Sequence, residues 1–273
     1  MSKKALLLIS DLHYEAQGRL YYEEDLFLAR ELGKEFEVAI CGPTETKRYE
    51  ANADLLLSRN TGPVVYYEKQ YHEFRQRIRN SNKKIFNSLD GKADQLGKQY
   101  LLDLYELDFP VIPTVSSSKD IERLHDVDEY VFKSINGADS VGMSYVGKEE
   151  LPSLNFAGSI LQPKIDFQYE LSMFYLGGVY QYSMYAPDKS RRWEMVPYEP
   201  RPSDLRFAEQ FVAWNSMSFG VQRIDACMCQ NGELLLVEVE DLNPYLSLLD
   251  VDEQTRQRFL DTLTEQLHSL SNL

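Results

Sequence analysis

Residues 234–244, LLLVEVEDLNP, restrict the fold of this chain more than any other stretch. The segment begins as a buried apolar strand. Glu238 and Glu240 then interrupt it, Asp241 follows, and Asn243-Pro244 ends it. Side chains alternate between faces along a strand, so Glu238 and Glu240 project the same way. Just upstream, GVQRIDACMC reads as a second strand, and the Asn231-Gly232 pair reads as a hairpin turn between the two. The hairpin sets Asp225 opposite Glu238. The fold must therefore provide a sheet with one apolar face and one acid-bearing face, and something positive to hold the acids together, because adjacent like charges repel.

Composition removes several functional classes. The chain has 273 residues, 43% of them hydrophobic, and a net charge of −14. Nucleic-acid binding needs clustered Lys and Arg, so no nucleic-acid partner is expected. A local basic pocket for a single nucleotide stays compatible with this charge. The three cysteines, Cys41, Cys227 and Cys229, have neither disulfide-framework nor zinc-site spacing and read as small core residues in a reducing cytoplasm. The first apolar run, ALLLIS, leads straight into Asp11 and is too short for a signal peptide or a membrane span. His13, His72, His125 and His268 are scattered, without metal-ligand spacing. The expectation is a cytoplasmic protein without membrane contact.

The fold class expected is α/β followed by α+β. ALLLIS, FEVAIC, ADLLLSRN and KKIFNS read as strands, with EEDLFLARELGK and YYEKQYHEFRQRIRN as helices between them. That β-α-β-β-α-β order predicts an open, mostly parallel sheet covered by helices. GKQYLLDLYELDFPVIPT reads as a helix with an extended exit at Pro110 and Pro113, and EYVFKSINGADSVGMSYV as strand, turn, strand. GSILQPKID is a further strand, and YELSMFYLGGVYQYSMYAPD a hairpin through Gly177-Gly178. RPSDLRFAEQFVAWNSM and residues 252–270 read as helices. The pattern divides the chain into 1–110, an α/β unit; 111–165, a small α+β unit; and 166–273, a second α+β unit.

Asp225, Glu238, Glu240 and Asn243 gather oxygen ligands in one place. Mg²⁺ takes such ligands and keeps some of its water or phosphate oxygens. A nucleotide-borne Mg²⁺ is thus one answer to the repulsion; an acidic, solvent-facing strand edge is the other. Lys133 ends an apolar strand and enters the loop containing Gly137, Ala138, Ser140 and Gly142, where backbone N–H groups can approach phosphate oxygens. An ordinary hairpin with a solvated lysine has the same pattern. Lys98 opens a helix. Gln162 begins QPKID, a segment able to present backbone groups to a base edge. Arg191 and Arg192 form a basic pair that reads as solvated surface. Arg223 shares the strand face of Asp225, and its guanidinium suits a carboxylate or a phosphate.

Taken in order, GKQYLLDLYELDFPVIPT, VFKSINGADSVGM, ILQPKIDFQYELSMFYLGGVYQYSM and VQRIDACMCQNGELLLVEVEDLNP resemble the ATP-grasp superfamily of carboxylate–amine ligases. The resemblance runs over roughly residues 5–250. It is nearest to the cycloserine-synthetase-like and prokaryotic glutathione-synthetase-like members. It implies an ATP-grasp fold in which an N-terminal α/β domain precedes two ATP-grasp subdomains. It also implies ATP and Mg²⁺ as cofactors, with Lys98 and Lys133 on the ATP phosphates and the loop at Gly137 and Ser140 covering them. Gln162, with the backbone of Lys164 and Ile165, would meet adenine, and Asp166 the ribose. Asp225 and Glu238 would hold Mg²⁺, and Arg223 the reacting carboxylate or acyl phosphate. The family's metal-site asparagine falls at Glu240 counted without a gap, or at Asn243 if the strand end shifts.

The activity implied is ADP-forming ligation of a small-molecule carboxylate to an amine through an acyl phosphate, with an amino acid or small peptide as substrate; a homodimer is compatible with it. Two other activities share these residues: an ATP-grasp phosphotransferase, and a nucleotide-binding module without turnover. Arg59, Tyr66, Tyr67 and Tyr71 are expected to line part of the substrate pocket.

Overall fold

The computed structural model describes residues 3–16, 19–59, 62–137 and 140–273, with the backbone alone for residue 19. β1 (Ala5–Ile9) is followed by a two-residue ladder of β2 (Glu15–Ala16) and β3 (Arg19–Leu20), then α1 (Tyr21–Leu32), β4 (Glu37–Cys41), β5 (Leu55–Ser58), α2 (Glu68–Arg79) and β6 (Lys84–Phe86). β1, β4, β5 and β6 form a parallel sheet in the order β4-β1-β5-β6. Its central strands are apolar on both sides because both faces are covered. Leu6, Leu8, Leu55 and Leu57 pack with Leu28 of α1, while Leu7, Ile9 and Leu56 pack with Phe74 and Ile78 of α2.

Helix α3 (Tyr100–Glu106) leads to a three-stranded antiparallel sheet, ordered β8-β7-β9, of β7 (Glu129–Ser134), β8 (Met143–Gly147) and β9 (Ser159–Pro163). Its own core holds Tyr130, Val146 and Leu161. The largest sheet follows, in the order β12-β11-β10-β13-β14. It comprises β10 (Phe167–Leu176), β11 (Val179–Ala186), β12 (Val196–Pro197), β13 (Val221–Cys229) and β14 (Leu234–Glu240). Helix α4 (Pro202–Asn215) and α3 cover one face, with Phe211, Leu101 and Leu104 against Met173, Ile224 and Val239. Helix α5 (Glu253–Asn272) closes the chain. Its Phe259, Leu263 and Leu267 join Leu6 and Leu57 of the first sheet to Phe174 and Met184 of the last in one core. The parallel sheet and the five-stranded sheet are thus fixed to each other through α5.

No described helix is long and apolar enough to cross a membrane.

Candidate active site

The site grows from strand register. Ser172 of β10 lies opposite Asp225 of β13, which lies opposite Glu238 of β14; one step along, Arg223 lies opposite Glu240. Directly opposed residues share a sheet face. Leu171, Met173, Ile224, Ala226 and Val239 fill the other face and are buried. The register shifts between Asp225 and Ala226, where Leu236 rather than Val237 pairs with Ala226. This bulge lets Val237 and Glu238, adjacent in sequence, both line the open side, while Leu236 and Val239 stay in the core.

Oxygen atoms of Asp225, Glu238 and Glu240 lie within 4.8 Å of one another, close enough to share one metal ion. The basic groups among them are more numerous than the sequence suggests. Arg223 Nε and Nη2 donate to both oxygens of Asp225 at 2.7–3.1 Å, Nη2 also reaches Glu240 at 2.6 Å, and Nη1 donates to the Tyr245 carbonyl at 3.0 Å. Lys98 Nζ pairs with Glu238 and lies 3.5 Å from Asp94. Ser172 Oγ donates to Asp225 at 2.7 Å.

Titration follows from these neighbours. Burial opposes the Glu238 charge, but Lys98 and Lys133 overcome it and hold the carboxyl down at about 2. Burial dominates at Glu240; Arg223 opposes it, Asp225 and Glu238 add to it, and the carboxyl rises well above the ordinary range. Burial likewise raises Asp94 to about 8 against the pull of Lys98.

Lys98 owes its place to the loop before it. Its backbone N–H donates to Ile135 O at 2.9 Å, which lays the loop along the end of β7. Gly97 has φ +87°, and a Cβ there would stand 2.8 Å from Asn136 Oδ1 and 2.9 Å from Ile135 Cγ2. On the other side, the buried Asp241 accepts from the Ala93 and Gln95 N–H groups at 3.1 and 2.9 Å, tying the loop to the end of β14.

Lys133 is half-buried at the end of β7. Burial lowers its ammonium to about 8, with Glu238 opposing. It shares a cavity of about 100 Å³ with Lys98, Glu238 and the loop residues Gly137 and Ser140. The loop turns back through Ser140 at φ +66° and Gly142 at φ +73°. A Cβ on Gly142 would stand 2.8 Å from Ser134 Cβ. Ala138 lies outside the described residues.

The remaining expected residues lie apart from this cluster. Gln162 is buried, and its amide donates to Thr114 Oγ1 at 2.8 Å. Lys164 pairs with Glu129, and its ammonium lies 5.0 Å from the Tyr145 ring centre. Ile165 is half-buried. Asp166 is exposed and accepts from Lys189 at 2.9 Å and Gln230 at 3.0 Å. Asn243 lies past the end of β14, where its amide donates to Gly62 O at 3.3 Å.

Sequence reasoning missed Arg192, Glu170 and Asp94. Arg192 does not sit as plain surface: Nη1 donates to Glu170 at 2.9 Å, and the side chain borders both the lysine cavity and a cavity of about 170 Å³ over the carboxylates. The available signal was the spacing of Glu170 and Ser172, which puts Glu170 on the carboxylate-bearing face of the sheet. Of the four residues expected at a substrate pocket, Tyr71 borders a cavity of about 760 Å³. Arg59 instead is buried in a network, donating to Asp25 at 2.9 Å, Glu24 at 3.1 Å and Pro244 O at 3.0 Å. That network anchors the segment after β14.

A parallel α/β sheet, a small antiparallel sheet, and a larger sheet with carboxylates facing two lysines together make the ATP-grasp architecture. Solved structures agree over nearly the whole chain. A D-cycloserine synthetase (DcsG) matches with a TM-score of 0.75 at 18% identity, over 96% of this chain and 99% of that one. The D-alanine–D-alanine ligase from Bacillus anthracis, complexed with ATP, gives 0.69 at 11% identity, over 98% and 97%. The ATP-grasp ligase PsnB, complexed with a variant of its minimal precursor, Mg and ADP, gives 0.68 at 10%, over 97% and 100%. No protein-family model matches the sequence, and no curated protein sequence matches it significantly.

Proposed function

We propose that this protein is an ATP- and Mg²⁺-dependent ligase that joins a carboxylate to an amine and releases ADP and phosphate. The observation that carries the reading is the convergence of Lys98 and Lys133 on Glu238, one of three carboxylates with oxygens within 4.8 Å of one another. Lys133 has a pocket-facing ammonium with no hydrogen-bond partner among the described residues, as a phosphate-binding lysine requires.

In this reading the units are 1–110, 111–165 and 166–273, with ATP between the last two. Lys98 and Lys133 bind the phosphates under the loop of Gly137 and Ser140. Gln162, the Lys164 and Ile165 backbone, and Asp166 border the nucleoside. Asp225, Glu238 and Glu240 fit Mg²⁺, since all three are hard oxygen donors on one sheet face; Glu240 takes the third place in preference to Asn243, which faces Gly62. Bound there, Mg²⁺ neutralises phosphate charge. The chain's own contribution is position and charge. Arg223 holds the substrate carboxylate beside the γ-phosphate, and Arg192 guards the passage between the two cavities. Phosphoryl transfer to the carboxylate gives an acyl phosphate and ADP. The amine then attacks the acyl carbon, loses a proton, and expels phosphate.

The products decide between this activity and the alternatives. With Mg·ATP and a panel of amino acids and small peptides, we expect ADP, free phosphate and a new amide in equal amounts. A stable phosphorylated product without free phosphate would mean a phosphotransferase. No ADP from any mixture would mean a binding module.

A further inference from the structure

The cavity over the carboxylates, about 170 Å³, and the lysine cavity, about 100 Å³, share four wall residues: Ser140, Arg192, Val237 and Glu238. Arg192 is the one cation of the four. It lies in the connection between β11 and β12, where the sequence DKSRRWE fixes how it sits. Asp188 accepts from the Ser190 N–H at 2.9 Å and opens a single 3₁₀ turn. Lys189 donates to Asp166 at 2.9 Å, and Arg191 pairs with Asp188 and Glu194, so neither turns its charge into the cavities. Arg192 follows the turn and reaches back over the sheet to Glu170 of β10.

The two arginines of the site differ in the donors they have left. Arg223 engages all three nitrogens with Asp225, Glu240 and the Tyr245 carbonyl, which leaves a single N–H, on Nη1, for a substrate. Arg192 uses only Nη1, which donates to Glu170 at 2.9 Å, and no partner among the described residues takes Nε or Nη2. Those two N–H groups form one edge of the guanidinium, the geometry that receives two oxygens of one oxyanion. The Arg192 side chain is 40% exposed and borders both cavities, so a ligand can reach it. A group that leaves the lysine cavity for the cavity over the carboxylates passes this residue.

We propose that Arg192 is a catalytic residue that binds the phosphoryl group in transit, from its departure from the nucleotide to its release as phosphate, while Glu170 positions the guanidinium. The assignment rests on the ligase reading. In the first step a substrate carboxylate oxygen bonds to the γ-phosphorus, the bond from that phosphorus to the β–γ bridging oxygen breaks, and its electron pair leaves on ADP. Arg192 stays protonated, with Nε and Nη2 on two phosphoryl oxygens. In the second step the amine nitrogen bonds to the acyl carbon and loses a proton. The bond from that carbon to the phosphate oxygen breaks, and its electron pair leaves on phosphate. Phosphate is therefore formed against Arg192, and Mg·ADP with inorganic phosphate reproduces the charges of that state.

The test titrates inorganic phosphate into the protein with and without saturating Mg·ADP, at constant ionic strength, and follows melting temperature. Phosphate stabilises folded proteins in general, so the titration without nucleotide supplies the reference. In wild-type protein Mg·ADP should lower the phosphate concentration that gives half the maximal shift by about tenfold or more. Arg192→Ala should raise that concentration in Mg·ADP by roughly ten- to a hundredfold, the scale of losing a charge-assisted pair, and Arg192→Lys should fall between. Wild-type protein that Mg·ADP does not stabilise would overturn the nucleotide site, and this assignment with it. A Mg·ADP shift that phosphate does not deepen would overturn this assignment alone. So would Arg192→Ala protein that keeps the coupling, or wild-type protein in which succinate, a dicarboxylate, couples to Mg·ADP and phosphate does not, since Arg192 would then hold a second substrate carboxylate.

Discussion

Glu238→Gln should lower Mg²⁺-dependent ADP formation by about 10²- to 10³-fold, the scale of losing one preorganised electrostatic contact to a transferring group. The substitution keeps the shape and removes one charge from the group of three carboxylates. It should also lower the melting temperature of the metal-free protein. Repulsion among the acids would predict the opposite sign, since neutralising one of them would relieve it. The structure decides against repulsion at this residue: Lys98 pairs with Glu238, and Lys98 and Lys133 hold its carboxyl at about 2. Removing it leaves Lys98 with Asp94 at 3.5 Å as its nearest acid, a loss of roughly 1–3 kcal/mol for a charged, partly buried hydrogen bond. The linkage has a defined sign. A carboxyl depressed in the folded state contributes stability that is present above its ordinary pKa of 4.5 and fades as pH falls towards about 2. The wild-type advantage over Glu238→Gln should therefore shrink across that interval. Melting curves of both proteins from pH 7 to pH 3 check it; a variant more stable than wild type at neutral pH would show that repulsion governs the cluster.

Arg223→Lys should lower turnover about a hundredfold while leaving Mg·ATP affinity within about threefold of wild type. Arg223 uses all three nitrogens of its fork: three hydrogen bonds to Asp225, one to Glu240 and one to the Tyr245 carbonyl. An ammonium is a single point charge and cannot span those acceptors while facing a substrate carboxylate. The lysines that face the phosphate cavity are untouched, so nucleotide binding should persist. Steady-state ADP formation and a nucleotide titration of the same preparation separate the two effects. Full activity in the variant would reduce Arg223 to a partner for its neighbouring acids.

The acid-bearing sheet face was legible because strand alternation is strict: Glu238 and Glu240 share a side, and a tight hairpin puts Asp225 opposite. The parallel first sheet was legible for a related reason, since strands covered on both faces read as continuous apolar runs. The bulge at Val237 was not legible. It arises because α3 and α4 require both Leu236 and Val239 in one core, a demand made by distant residues. The positive groups among the acids were only partly legible. Arg223 lies on the same strand as Asp225, but Lys98 reaches Glu238 from 140 positions away. The sequence named both residues without showing that they meet. Arg192 read as solvated surface and Arg59 as a substrate-pocket residue; the first borders two cavities and the second is buried in an ion-pair network. Only the tertiary fold separates them.

Nucleotide binding by the unmodified protein tests the central claim most directly. Melting temperature is measured without nucleotide, with millimolar ATP in EDTA, and with millimolar Mg·ATP. A ligand that binds only the folded state stabilises it by mass action. The lysine pair and the three carboxylates predict a rise with ATP alone and a larger rise with Mg·ATP. An unchanged melting temperature in Mg·ATP would contradict the assignment of a nucleotide site between Lys98, Lys133 and Glu238.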